Sequence, residues 1–199
     1  ANAFERTAFS EFTFPDGTET IPSSIFTDCP NLVKVTLPST VTSIQGMAFQ
    51  RSELSEINFP DKLASIATLA FESTRLGGEL SLPASLTTLG TQAFANNSAI
   101  TSVNINAALR DFGDGVFAGC SKLSVITAPA DAENFATAEN GAMLTSKDGK
   151  ILYMVAPGAK LTELAGDFTE VKARAAYKKT DLAKITLPAC VQWGDRAFM

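Results

Sequence analysis

A large aromatic residue preceded by a small or aliphatic one returns along this chain at an almost fixed interval. The pairs are Ala3-Phe4, Ile25-Phe26, Ala48-Phe49, Ala70-Phe71, Ala93-Phe94 and Val116-Phe117, with the phenylalanines 22 or 23 residues apart. After a break come Ala176-Tyr177 and Ala197-Phe198. Behind each pair runs an apolar-x-apolar block, in most copies closed by proline: Phe12-Thr13-Phe14-Pro15, Val35-Thr36-Leu37-Pro38, Ile57-Asn58-Phe59-Pro60, Leu80-Ser81-Leu82-Pro83, Val103-Asn104-Ile105-Asn106, Ile126-Thr127-Ala128-Pro129 and Ile185-Thr186-Leu187-Pro188. A third apolar position precedes the next aromatic by five residues, at Ile21, Ile44, Ile66, Leu89, Phe112 and Trp193. Three registers held in step over so many copies define a repeat architecture.

The spacing dictates a local structure. Alternation across the apolar-x-apolar triplet sends two side chains inward and one outward, as in a short strand. The proline behind it has no N–H to give a ladder, so the strand stops. The Ala-Phe segment is expected as a helical or turn-like stretch on the opposite wall, with Phe filling the space between walls. One such rung would leave its upper and lower faces wet. Stacked rungs, about 4.8 Å apart, pair their strands into a parallel sheet and close a continuous core. The expectation is one domain, 1–199.

The stretch Ile25-Phe26-Thr27-Asp28-Cys29-Pro30-Asn31-Leu32-Val33-Lys34-Val35-Thr36-Leu37-Pro38 resembles the unit A-F-x-x-C-x-x-L-x-x-I-x-L-P of the BspA-like, or Treponema-type, leucine-rich-repeat family. The resemblance runs over almost the whole chain. It implies an α/β repeat solenoid: a right-handed coil with one parallel β-sheet face, short helical or turn segments opposite, and a β-hairpin insertion. It also implies secreted or surface-anchored bacterial proteins, some of them adhesins for host matrix proteins.

The period breaks between Phe117 and Tyr177, where residues 130–160 carry two short apolar runs flanking Asp148-Gly149. That pattern predicts a β-hairpin, and members of the family often carry such an insert. It reads either as a protruding recognition element, with Tyr153 its candidate contact, or as an elaboration that continues the sheet.

Composition removes several functions. The net charge is -5, and no Lys/Arg run offers a grip on phosphates, so nucleic acid is not an expected partner. Histidine is absent, which takes away the commonest general base and most zinc sites. No cofactor or metal is expected, and no enzyme. No apolar stretch approaches the roughly 20 residues that span a bilayer, so membrane insertion is not expected. Both termini fall inside a repeat, and the chain reads as a piece of a longer array.

Cys29 and Cys120 occupy the same register position four rungs apart, which places them about 19 Å from each other. A disulfide needs α-carbons within about 7 Å, and Cys190 belongs to another column. Three free thiols are expected. Ser52, Thr74, Asn97 and Thr180 take the cysteine position in other rungs, which suits a small buried turn residue. Asp111-Phe112-Gly113 resembles a kinase tripeptide, but Phe112 is accounted for as a core-column residue. Trp193 occupies the position of Ile44 and Leu89 and is expected in the core, the alternative being a platform for a sugar.

The candidate ligand-binding face consists of two outward columns. One is Thr13, Thr36, Asn58, Ser81, Asn104, Thr127 and Thr186; the other, two residues earlier, is Glu11, Lys34, Glu56, Glu79, Ser102, Val125 and Lys184. Short hydroxyls and amides at strand spacing can take a polar ligand or simply tolerate a solvated sheet. The leading expectation is a non-enzymatic surface or secreted module that binds a host or bacterial surface protein. The alternatives are glycan capture and a structural spacer.

Overall fold

The computed structural model describes Phe4, residues 7–189 and residues 191–199; Ala3 of the first pair and Cys190 lie outside the described residues. In chain order the strands are β1 (Glu11–Thr13), β2 (Thr20–Ile21), β3 (Lys34–Thr36), β4 (Ser43–Ile44), β5 (Glu56–Ile57), β6 (Ser65–Ile66), β7 (Gly77–Ser81), β8 (Thr88–Leu89), β9 (Ala99–Asn104), β10 (Asp111–Phe112), β11 (Val125–Thr127), β12 (Phe135–Ala138), β13 (Met143–Ser146), β14 (Ile151–Val155), β15 (Glu163–Ala165), β16 (Glu170–Val171), β17 (Lys184–Thr186) and β18 (Gln192–Trp193). The triplets predicted as strands are β1, β3, β5, β7, β9, β11 and β17, and the coils stack in parallel as the repeat demands. Glu11 pairs with Lys34 and Lys34 with Glu56, so equivalent repeat positions face one another.

The opposite wall, expected as helical or turn-like, consists of turns beside a second ladder of short strands. Its apolar column forms a second parallel ladder of two-residue strands, β2-β4-β6-β8-β10, in which Ile21, Ile44, Ile66, Leu89 and Phe112 follow one another in register. The Ala-Phe segments between the two walls are turns, and no α-helix occurs among the described residues. Hydrogen bonding explains this. The N–H groups of Phe26, Phe49, Phe71 and Phe94 donate to carbonyls of the next coil, those of Ala48, Ala70, Ala93 and Val116, at 2.8, 2.8, 2.8 and 3.0 Å. A helix would turn those donors back along its own axis. Each aromatic is also flanked two residues before and after by left-handed backbone. Met47 and Arg51 (φ 59 and 54) bracket Phe49, Leu69 and Ser73 (φ 59 and 57) bracket Phe71, and Gly115 and Gly119 bracket Phe117. That conformation costs a non-glycine residue about 1–2 kcal/mol, and core burial offsets it.

A file of rings runs through the larger of two apolar clusters. Phe26, Phe49, Phe71, Phe94 and Phe117 are all buried, with successive centroids 5.8, 5.1, 5.1 and 5.5 Å apart and planes within 14° of parallel. Phe4 extends the file at 5.4 Å from Phe26. Each buried ring contributes about 1.5–3 kcal/mol, and each aromatic contact about 0.5–1.5 kcal/mol more.

Beyond Phe117 the file narrows, and the register differs from the expected one. Val155 N–H donates to Ala175 O and Ala176 N–H to Ala197 O, the bonds that Phe49 and Phe71 make earlier. The core slot therefore belongs to Ala176, which is buried, and Tyr177 sits one residue past it, half-buried. The same one-residue shift puts Lys179, not Thr180, at the cysteine position; Lys179 is buried and Thr180 exposed. Lys179 Nζ donates to Ala159 O at 2.5 Å and pairs with Asp181.

The predicted hairpin is present and continues the sheet. β12, β13 and β14 form an antiparallel meander, and β14 then pairs in parallel with β16, which pairs with β18. Met143, Leu144, Leu152, Met154 and Val155 are buried, so the insert thickens the core. Ser146 Oγ donates to Asp148 Oδ1 at 2.5 Å and Lys150 N–H to the same oxygen at 3.0 Å, which fixes the Asp148-Gly149 turn. Trp193 departs from expectation: it is 55% exposed, since β18 is the last strand of its ladder and no strand among the described residues covers it. Ile185 on β17, likewise the last strand of its ladder, is 44% exposed.

Candidate functional site

The two outward columns lie where the spacing placed them, and all of their members except Ser102 are exposed. They do not form one unbroken face. The triplet strands divide into three ladders, β1-β3-β5, β7-β9-β11 and β15-β17. The first aligns Glu11, Lys34 and Glu56 beside Thr13 and Thr36. The second aligns Glu79, Ser102 and Val125 beside Ser81, Asn104 and Thr127. In the third, Glu163 and Ala165 face Lys184 and Thr186. Glu163 and Ala165 belong to the columns although sequence spacing missed them, because the insert disrupts the period just before β15.

Much of this face is already partnered. Lys34 Nζ lies 3.8 Å from Glu56, and Lys184 Nζ lies 2.6 Å from Glu163. Thr127 Oγ1 donates to Asn104 Oδ1 at 3.2 Å. Such exposed pairs contribute about 0–1 kcal/mol each, but they set the local charge. Glu79 has no ion-pair partner among the described residues. Asn58 is committed to structure: its side-chain amide donates to Leu37 O and accepts from Leu37 N–H, both at 2.8 Å, in place of a strand backbone.

The break between β5 and β7 opens a cleft of about 680 Å³, lined among others by Glu56, Ile57, Asn58, Phe59, Gly77 and Glu79. That volume lies in the roughly 300–1,000 Å³ range of ligand sites. Three local features part the strands there. Asn58 faces β3 with its side chain, so its backbone no longer carries the ladder onward. Phe59 occupies a position filled by Leu or Ile in neighbouring coils, and its ring reaches past Phe71 (5.7 Å) to Phe94 (6.3 Å), edge-on to both. Gly77 lets β7 press against β9, since a Cβ there would come within 2.8 Å of the Ala99 Cβ. The opposite wall stays closed, with Ser65 and Ile66 paired to Thr88 and Leu89. Nothing in the triplet pattern announces the cleft; Asn58, the large Phe59 and Gly77-Gly78 are its traces in the sequence.

Tyr153 lies on β14, half-buried, its ring edge-to-face with Phe135 at 5.0 Å and Phe112 at 6.0 Å. Burial raises its hydroxyl pKa, and Lys172, 6.0 Å from the ring centroid, opposes that shift. Its ring therefore belongs partly to the core.

The cysteine column is a buried polar seam. Cys29 and Cys120 are free and buried; their Sγ atoms donate to the carbonyls of Phe4 and Phe94, one coil back, at 2.9 and 3.2 Å. Asn97 Nδ2 likewise reaches back to Phe71 O at 2.7 Å and also bonds Phe94 O at 2.9 Å. Burial pushes the Cys120 thiol up to about 12. No group of three or more His, Cys, Asp or Glu side chains positioned to hold a metal occurs among the described residues. No helix among them is long and apolar enough to cross a membrane.

The model of the BspA type leucine rich repeat region matches residues 1–124 in six copies. A search of curated proteins finds no match. Among solved structures, a leucine-rich repeat protein from Eubacterium ventriosum superposes with a TM-score of 0.86 at 26% identity over 94% of this chain and 50% of its own. The pneumococcal vaccine antigen PcpA gives 0.71 at 20% identity, over 98% of this chain and 60% of its own. A leucine-rich cell surface protein from Faecalibacterium prausnitzii gives 0.52 at 18% identity, over 96% and 67%. The chain thus spans about half the length of the Eubacterium protein. The family match covers most of the repeats described above, and its unit is the one that builds the phenylalanine file and the triplet strands. The chain belongs to the BspA-type leucine-rich-repeat family.

Proposed function

We propose that this chain is a non-catalytic interaction module of a bacterial surface or secreted protein, a single domain within a longer array, and that it binds a protein partner across the triplet-strand face. The observation that carries this reading is a set of parallel ladders whose outward columns are mostly exposed and polar, interrupted by a cleft with a partly apolar floor. Repeat solenoids offer extended surfaces of this kind because each coil adds one row of side chains without changing the core. Family membership supports it, as does the likeness to a protein described as a cell surface protein. Adhesion is the form of binding proposed, with Glu11, Thr13, Lys34, Thr36, Glu56, Asn58, Glu79, Ser81, Ser102, Asn104, Thr127, Lys184 and Thr186 as the contact field.

The test is a panel of immobilised host matrix and bacterial surface proteins, probed with the chain and with a variant carrying Thr36→Arg and Asn104→Arg. Both side chains are exposed, so the core is untouched. Saturable binding by the parent, lost in the variant, supports the proposal. Binding to a glycan array with none to any protein would replace it with glycan capture, and no binding to either with a spacer.

A further inference from the structure

We infer that the cleft between β5 and β7 takes an extended peptide segment of the partner, carrying a basic side chain, as an added strand on the β7 edge. This rests on the protein-binding reading above and names the place and the chemistry. The coils are joined by Arg75 N–H to Leu54 O at 2.9 Å on one side of the cleft and by Ser85 Oγ to Leu63 O at 2.7 Å on the other. Between those two bonds no strand pairing links β5 to β7. In a parallel ladder, alternate residues address alternate neighbours. One coil on, Ser124 N–H donates to Thr101 O and Thr127 O accepts from Ile105 N–H; by the same alternation Ser102 and Asn104 of β9 address β7, Leu80 of β7 addresses β9, and Glu79 and Ser81 turn N–H and C=O to the cleft. A run of unpaired backbone donors and acceptors is a template for another strand.

The side chains suit the same occupant. Ile57 and Phe59 are half-buried, whereas their counterparts Val35 and Leu37 are buried, so the floor carries apolar surface that an alternating peptide can cover. Glu79 stands at the rim without an ion-pair partner among the described residues, and Glu56 beside it shares Lys34 only at 3.8 Å. A Lys or Arg of the peptide would complete this charge arrangement. A strand on β7 would have Ser102 and Asn104 behind it on β9 and the cleft floor beneath.

The experiment uses the full chain and a fluorescein-labelled Lys-Val-Lys-Val-Lys-Val peptide, read by anisotropy. A second peptide has the same sequence but N-methyl groups on alternate amides, which removes its strand donors. The expected result is saturable binding of the first peptide, at least tenfold weaker binding of the N-methylated one, and at least tenfold weaker binding by Glu79→Lys. Amide hydrogen exchange should slow at Glu79 and Ser81. Equal binding of both peptides, or protection confined to Lys184–Thr186, overturns the proposal. So does retention of a protein ligand by Glu79→Lys when Thr36→Arg with Asn104→Arg abolishes it; that outcome leaves the broader reading of the face standing.

Discussion

Replacing Asn97 probes the buried seam that ties coil to coil. Its amide donates to Phe71 O at 2.7 Å and Phe94 O at 2.9 Å, and its Oδ1 accepts from the Thr74 hydroxyl. Asn97→Ala removes both donors. Phe94 O keeps the Cys120 thiol at 3.2 Å, and the released Thr74 hydroxyl already lies 3.3 Å from Phe71 O. One under-satisfied buried carbonyl costs about 1–3 kcal/mol, and the truncation leaves a small cavity costing about 1 kcal/mol more. The expected loss is about 2–4 kcal/mol. Asn97→Cys should recover at least about 1 kcal/mol of it, because a thiol at this register position reaches the preceding aromatic carbonyl in two other coils. A repeat protein need not unfold in one step, so urea denaturation should be accompanied by hydrogen exchange of the Phe71 and Phe94 amides, which bond to the next coil at 2.8 and 3.0 Å. A loss below about 0.5 kcal/mol for Asn97→Ala, or a cysteine variant no more stable than the alanine one, would refute the account of the seam.

Three further outcomes follow from single sites. With its thiol pushed up to about 12 by burial, Cys120 should resist a disulfide reagent at pH 8 in the folded protein and react only as the chain unfolds; rapid native labelling contradicts this. The Ser146 hydroxyl, and after it the Lys150 N–H, holds Asp148 below the usual carboxylate range, so Asp148 adds stability above its unfolded pKa that is lost as pH falls through the depressed folded value. Titration of Asp148 by carbon NMR should therefore move upward in Ser146→Ala, and an unchanged midpoint refutes the assignment. Met47 is exposed and left-handed at φ 59; Met47→Asn should raise stability by about 0.5–1 kcal/mol in a thermal melt, since asparagine tolerates that backbone, and a fall of similar size counts against the strain argument.

The coil was legible because three residue classes recur in phase: Phe71 needs a wall on either side, Val103 needs a parallel neighbour, and Pro83 needs a strand that has ended. The second ladder was not, since two-residue strands such as Ser65–Ile66 leave one apolar position and no alternation to read. Tyr177 misled because a ring beside alanine imitates the repeat, while the turn accepts Ala176 in the core once the insert supplies Val155. Trp193 occupied a core position by register, yet burial depends on a covering strand that register alone does not supply. The outward columns were legible as places. Their division into three ladders was not, because the first break depends on the Asn58 amide replacing a backbone and on Gly77 drawing β7 toward β9, and the second on how the insert is accommodated between β11 and β15.

In-register stacking can be measured directly on the continuous wall. Spin labels are placed on cysteines introduced at Thr20 and, in separate proteins, at Ser65, Thr88 or Asp111, with the native cysteines replaced by serine; these positions lie two, three and four coils from Thr20 along the β2-β4-β6-β8-β10 ladder. The account predicts three inter-label distances, read from continuous-wave dipolar broadening, that lengthen evenly by about 4.8 Å per coil. Distances that fail to increase in that order, or that jump unevenly from Ser65 to Asp111, would contradict it.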